Sequence, residues 1–317
     1  MTTYLIRRLL ELLPLLLGIT LIVFIVIQNI PGGPLSAYKG NPRIREADIA
    51  RLERQLGLDQ PVPVQYLRWL GGFVRGDWGY SYVTQQSVTQ MVGERLGNTL
   101  LLMGIALLIT LSVAIPLGVI SAIRQYSTFD YSVTTAAFVG YAVPTFWLGL
   151  VLIMVFAIGL RWFPAGGIET LGAPFSLKDR IWHLVLPVFA VSFASTGFYT
   201  RYIRSAMLEV KNQDYIRTAR AKGLPERTVL YRHALKNAAT PLVTVVALHF
   251  PQIFTGAVVI ETIFSWPGMG RLYWESATRF DYPVLMAVVS VSALMVVAAN
   301  LLADLSYGFL DPRIRYD

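Results

Sequence analysis

The sequence predicts an all-α integral membrane protein with six transmembrane helices and an extracytoplasmic helical insertion after the first. Three observations predict it. The chain is 317 residues long, 55% hydrophobic and only 15% charged, with a mean hydropathy of +0.53; soluble domains carry nearer a quarter charged residues. Six stretches reach the ~20 mostly apolar residues that a bilayer-spanning helix needs. Lys and Arg cluster beside those stretches, so the formal net charge of +8 reflects orientation in a membrane better than phosphate binding, and no nucleic-acid partner is expected.

The first span, Leu12–Ile30, follows Arg7 and Arg8. Its apolar run is long for a signal peptide, and Gln28-Asn-Ile-Pro-Gly lacks a small-residue cleavage pattern, so a retained helix is predicted. The remaining spans are Thr99–Ile123, Ser132–Leu160, His183–Ser205, Ala239–Ile263 and Pro283–Leu305. Arg7 and Arg8, Arg124, the basic loop after the fourth span, and Arg313 and Arg315 all fall on one side if both termini are cytoplasmic. Pro116, Pro144, Pro187 and Pro251 lie within spans, and such residues kink helices. The chain thus divides into an N-terminal segment with the first span (1–30), an insertion (31–97), a five-helix core (98–310) carrying the cytoplasmic loop 208–238, and a cytoplasmic tail (311–317).

The insertion holds eight basic and six acidic residues, nearly balanced as an extracytoplasmic segment should be. Ile49, Leu52 and Leu56 have helical spacing, with Gly57 as the stop. Tyr66, Leu67, Leu70 and Phe73 mark a second amphipathic helix, Trp69 and Trp78 suit a membrane interface, and Gly76-Asp-Trp-Gly79 reads as a turn. This segment is either a cap packed over the spans or a surface that receives an extracytoplasmic partner.

The loop from Arg201 to Lys236 is the most informative stretch. It holds nine basic residues against three acids, Glu209, Asp214 and Glu226. Asp214 is a candidate N-cap for a helix of about two turns over Tyr215–Lys222. Gly223 sits where a helix ends in a left-handed residue, Leu224 where the chain folds back onto Ala219, and Pro225 can open a following helix over Glu226–Asn237. Two readings of these residues stand: a docking element, or a solvated basic loop that only obeys the charge bias.

Catalytic patterns are missing. The three histidines, His183, His233 and His249, have no metal-ligand spacing, no nucleophile motif occurs, and there is no cysteine. A lone ion-coupled carrier should place acids deep in the membrane. Glu261 and Asp304 lie near span ends instead, and His249, Gln252 and Asn300 are the polar residues at greater depth, candidates for facing a pathway. A P-loop is absent too, so active transport would need energy from another subunit. An ion-coupled carrier and a non-transporting scaffold remain the alternatives on residues alone.

Three segments resemble one family. The loop is similar to the EAA motif of permease subunits in binding-protein-dependent ABC importers, with Ala219, Gly223 and Leu235 matching, Arg217 at the acidic first position and Lys236 in place of the final proline. Asp214–Leu224, Glu261–Leu272 and Asp311-Pro-Arg-Ile-Arg315 look like the dipeptide, oligopeptide and nickel permease class, as do Arg7-Arg8, Gly18-Ile-Thr and Ile30-Pro-Gly near the start. The resemblance implies a type I importer permease, non-catalytic, in the inner membrane of a prokaryote. It would pair with a second permease, one or two ATP-binding subunits that carry ATP and Mg, and an extracytoplasmic binding protein; this chain would bind no cofactor. The substrate implied is a short peptide, with nickel, glutathione or another small solute as the alternative. The coupling residues implied are Asp214, Tyr215, Arg217, Ala219, Arg220, Lys222, Gly223 and Leu224, with Tyr215, Ala219, Gly223 and Leu224 at the core of the contact and Arg217, Arg220 and Lys222 steering it.

Overall fold

The computed structural model describes residues 2–30, 35, 45–238, 242, 245, 246 and 258–310, and the regular elements among them are all helical. They are α1 (Thr2–Gln28), α2 (Glu46–Leu56), α3 (Val62–Val74), α4 (Val88–Ile123), α5 (Thr128–Ala142), α6 (Thr145–Leu152, continued by a π-helix over Ile153–Gly159), α7 (Leu177–Lys211), α8 (Asp214–Ala221), α9 (Glu226–Thr228, continued by a π-helix over Val229–Leu235), α10 (Met269–Thr278) and α11 (Tyr282–Leu310). Among the described residues, Leu10–Gln28, Val88–Ile123, Leu177–Lys211 and Tyr282–Leu301 are long and apolar enough to cross a membrane.

The expected third span is not one continuous helix. The chain turns by 96° between α5 and α6. Pro144 is the cause, because it has no amide to offer the preceding turn and pushes the residue before it out of the helical region. Val143 accordingly has φ −76° and ψ 121°. The expected fifth span, Ala239–Ile263, lies largely outside the described residues; its last part, 258–263, is helical.

The chain forms two compact units. One comprises the residues up to Thr99 together with Pro267–Ala298. Here Phe24 and Ile27 of α1, Tyr66 of α3, and Tyr282 and Met286 of α11 build one buried cluster. From Tyr66 an aromatic ladder climbs through Trp69, Phe73 and Trp78, with ring centroids 6.0, 5.3 and 5.1 Å apart. This corrects the predicted face of α3: Leu67 is 65% exposed and Trp69 takes its place. The stripe at i, i+3, i+4 and i+7 is Tyr66, Trp69, Leu70 and Phe73, and Leu67 falls off it. Tyr66 keeps its hydroxyl paired, 2.9 Å from Thr20 Oγ1 on α1. Gly57 ends α2 at φ +67°, with the Leu58 amide donating to the Glu53 carbonyl at 2.9 Å. Gly76 to Gly79 form the expected turn, with both glycines at positive φ. Two side-chain bonds tie distant parts of the unit: Thr99 Oγ1 accepts the Met269 amide at 2.8 Å at the start of α10, and buried Asp281 accepts from Ser81 Oγ and the Tyr82 amide.

The second unit comprises the described residues of Leu100–Trp266 and 299–310. Its centre is α7, which packs along α5 and α6. Close approach is achieved at glycines. A Cβ on Gly197 would lie 2.5 Å from the Ala137 carbonyl of α5, and one on Gly118 of α4 would lie 2.8 Å from the Thr200 carbonyl of α7. Small residues let membrane helices touch backbone to backbone, which supplies the dispersion contacts that lipid does not drive. Two buried clusters follow. The first joins Leu102 and Met103 of α4, Leu152 of α6, Leu184 and Leu186 of α7, and Ile260, Phe264 and Trp266. The second joins Ala114 and Val119 of α4, Tyr199, Ile203 and Met207 of α7, Ile216 and Ala219 of α8, and Val229 and Ala234 after α9.

Candidate coupling site

Helix α8 is built as the sequence suggests in outline and differently in detail. The N-cap is Gln213, not Asp214; Asp214 is the first helical residue, and Gln213 makes no side-chain capping bond. Asp214 instead stands beside Arg217, Oδ1 to Nη1 at 3.4 Å, with its side chain almost fully exposed. A carboxylate in the first turn still complements the helix dipole, but an exposed pair of this kind contributes little. The C-terminal stop is as expected. Gly223 has φ +75°, its amide donates to the Arg220 carbonyl at 2.9 Å, and the Leu224 amide reaches back to the Ala219 carbonyl at 3.4 Å. That is a Schellman closure, which only a residue tolerant of the left-handed region completes cheaply.

The expected residues divide into two groups by burial. Ala219 is buried, together with Ile216, which is fully inaccessible; their i, i+3 spacing places both on the face packed against α7 and the turns after α9. Ile216 was missed as a site residue, although that spacing was its signal. Tyr215 and Leu224 are exposed large side chains, and Arg217, Lys222 and Gly223 are exposed beside them. Arg220 is half-buried and engaged: its Nη2 and Nε donate to Glu226 Oε1 and Oε2 at 2.8 and 3.1 Å. These bonds hold the Glu226 carboxyl below the usual carboxylate range and raise the Arg220 guanidinium. The pair spans the Gly223 turn and clips α8 to α9.

The helix opened by Pro225 also differs from expectation. Glu226–Thr228 is α-helical, Val229–Leu235 winds as a π-helix, and residues 236–238 return to α-helix. Bonds from i to i+5 widen the turn, so Ala234 rather than His233 falls beneath Val229, and Val229, Leu230 and Ala234 are the buried residues.

Beside this site lies a network that the sequence reading did not single out. Asp130 of α5 is 2% exposed and receives both arms of Arg204 from α7, Nε to Oδ1 at 2.6 Å and Nη2 to Oδ2 at 2.7 Å. Ser121 Oγ of α4 and the Tyr126 amide donate to the same carboxylate. Three helices therefore meet on one acid. Arg201, one turn earlier, lies over the Phe138 ring of α5 at 4.7 Å. The available signal was Ser127-x-x-Asp130, an N-cap pattern realised by the Asp130 amide donating to Ser127 Oγ; Arg204 is one of the nine basic residues of the loop region.

Of the expected pathway residues, Asn300 is exposed on α11, while His249 and Gln252 lie outside the described residues. Glu261 is fully buried.

Residues 114–316 match the family model for the binding-protein-dependent transport system inner membrane component, and residues 1–103 match the model for the N-terminal part of the same component. The chain is 48% identical over 317 residues to the oligopeptide transport system permease protein AppB of Bacillus subtilis (strain 168), covering 100% of both. It is 37% identical over 337 residues to the dipeptide transport system permease protein DppB of Escherichia coli (strain K12), covering 100% of this chain and 99% of that one. The MetNI methionine ABC transporter, solved in inward-facing conformations, has a TM-score of 0.58 at 13% identity, over 70% of this chain and 97% of its own; this is a likeness of fold. Matched along its whole length, the chain belongs to the family of binding-protein-dependent transport system inner membrane components, the permeases of ABC importers.

Proposed function

We propose that this chain is a pore-forming permease subunit of an ATP-driven importer that takes up short peptides handed over by an extracytoplasmic binding protein. The observation that carries the reading is the end-to-end match, at 48% identity, to a relative named for oligopeptide transport. In this reading the chain catalyses nothing; ATP and Mg act on partner subunits, and a second permease completes the pore. Both termini and α8 lie on the cytoplasmic side of the inner membrane.

Helix α8 is the coupling element. Exposed Tyr215 and Leu224 offer apolar contact to a groove on an ATP-binding subunit, while Asp214, Arg217 and Lys222 orient the approach. Buried Ala219 and the Gly223 turn hold the helix to its own chain, and Arg220 acts through its clip to Glu226. Because Ile216 and Ala219 share one core with Tyr199, Ile203 and Met207 of α7, a push on α8 moves α7. Packed interiors have little compressibility with which to absorb it.

The test is isolation of the tagged chain in mild detergent, with identification of what accompanies it, followed by uptake measurements on the recovered assembly. A second permease with P-loop ATPases, and ATP-dependent peptide uptake, are expected. A chain that purifies alone and transports nothing with ATP would overturn the proposal. Coupling is tested separately by Gly223→Pro: proline fixes φ near −65° and removes the amide bonded to Arg220. Uptake should fall by an order of magnitude while ATP hydrolysis persists; unchanged uptake would sink the assignment of α8.

A further inference from the structure

The break in the third span opens a cavity of about 550 Å³ within the second unit, inside the range of about 300–1,000 Å³ typical of ligand sites. Residues of α4, α5, α6 and α7 line it, together with Val259 and Ile260. Five hydroxyls are among them: Thr110, Tyr141, Thr145, Ser195 and Tyr199. Among the described residues the remainder of the lining is apolar, with no charged side chain.

Two physical constraints bear on what fills this space. Non-helical backbone at membrane depth persists only where protein covers it or water reaches it, because lipid cannot hydrogen-bond the freed groups. Val143 and Pro144, the residues of the break, both line the cavity, so the cavity is the place where such solvation is needed. A hydroxyl, moreover, both donates and accepts. Five residues that carry one line this space and suit the alternating N–H and C=O groups that every peptide carries, and the uncharged lining among the described residues makes no demand on side-chain sign.

We propose that this cavity is a peptide-accepting stretch of the transport route, in which neutral hydroxyls read the peptide main chain independently of side-chain charge. The proposal rests on the peptide-importer reading above. It also gives the coupling helix a target, since Tyr199 belongs both to the cavity wall and to the core that holds α8.

The chain contains no cysteine, so a single cysteine introduced into it is the one labelling site on its own gel band. Ser195→Cys and Thr145→Cys would be placed in the complete transporter, reconstituted with its partner subunits, and treated with a membrane-impermeant maleimide. Labelling at both positions is expected, slowed several-fold when tri-alanine is supplied with the binding protein and ATP. Labelling only by a lipid-soluble maleimide would mean that acyl chains fill the cavity, and an unchanged rate with tri-alanine would mean that peptide passes elsewhere; either overturns the proposal. If Ser195→Cys does not assemble, Ala194→Cys lines the same space. Ser195→Trp should abolish tri-alanine uptake without changing binding-protein affinity for the peptide, and full uptake by that variant counts against the site. A wild-type transporter that never imports tri-alanine or other short peptides removes the functional reading and this proposal together. One that imports tri-alanine while Ser195→Cys stays unprotected removes this proposal alone.

Discussion

Two arginine–carboxylate pairs sit near the loop that carries α8, alike in chemistry and opposite in setting. Arg204 and Asp130 join at 2.6 and 2.7 Å with the acid side chain 2% exposed. Arg220 and Glu226 join at 2.8 and 3.1 Å with the acid 56% exposed. Both are two-pronged, so geometry does not separate them. Burial does. Removing one partner of a buried pair strands a charge away from water and costs about 3–5 kcal/mol, while an exposed pair contributes about 0–1 kcal/mol. The inner pair therefore fixes how α4, α5 and α7 meet, and the outer one trims a turn already closed by Gly223.

The largest effect should come from breaking the inner pair. Asp130→Ala is expected to lower stability by about 3–5 kcal/mol, read as a drop in the thermal midpoint of the detergent-purified protein, and the double change with Arg204→Ala should cost less than the two singles summed. A smaller loss than Glu226→Gln would reverse the contrast drawn here.

Next comes Ile216→Ala, which asks whether α8 is held by its buried face rather than by its ion pair. Loss of a fully buried isoleucine should cost about 2–5 kcal/mol and reduce ATP-dependent uptake along with stability. Unchanged stability would place the anchor elsewhere.

The smallest effect belongs to Glu226→Gln, less than about 1 kcal/mol near neutral pH. Because the Arg220 bonds lower the Glu226 carboxyl in the folded state, its contribution is present above the unfolded carboxylate value and fades as pH falls through the lower folded one. Wild type and variant should thus differ slightly at neutral pH and converge in acid. Divergence on acidification would refute the assignment.

Much of this molecule was legible in its residues because the signals were local. The apolar runs announced the long helices, the basic flanks announced the loop, and Gly57 and Gly223 announced the ends of α2 and α8. What stayed hidden depended on partners far away in the chain. Asp130 looks like an ordinary cap until Arg204, seventy-four residues on, closes on it. Pro144 was visible as a kink, but its size, 96°, and the cavity it opens depend on packing against α7. Asp214 was misplaced by a single residue because Gln213, a poorer capping type, takes the position. The face of α3 slipped from Leu67 to Trp69 because Leu67 is apolar but off the helical stripe, whereas Trp69 shares with Tyr66 the contact to Phe24 of α1, at 6.4 and 5.5 Å.

The stop at Gly57 has an implication for what evolution can do there. Helix ends of this shape usually accept asparagine or aspartate as well as glycine, since either tolerates the left-handed backbone. At Gly57 a Cβ would lie 2.1 Å from Arg68 Nη1, the far end of a flexible side chain, so a residue there would displace the guanidinium. Arg68 in turn lines the cavity of about 510 Å³ in the same unit. Two unrelated demands, one from backbone and one from a neighbour's side chain, meet on a single position. The backbone sets the stricter of the two, since φ is +67° whatever the neighbour does, and asparagine or aspartate at this stop would be accommodated by a turn of the Arg68 side chain away from it.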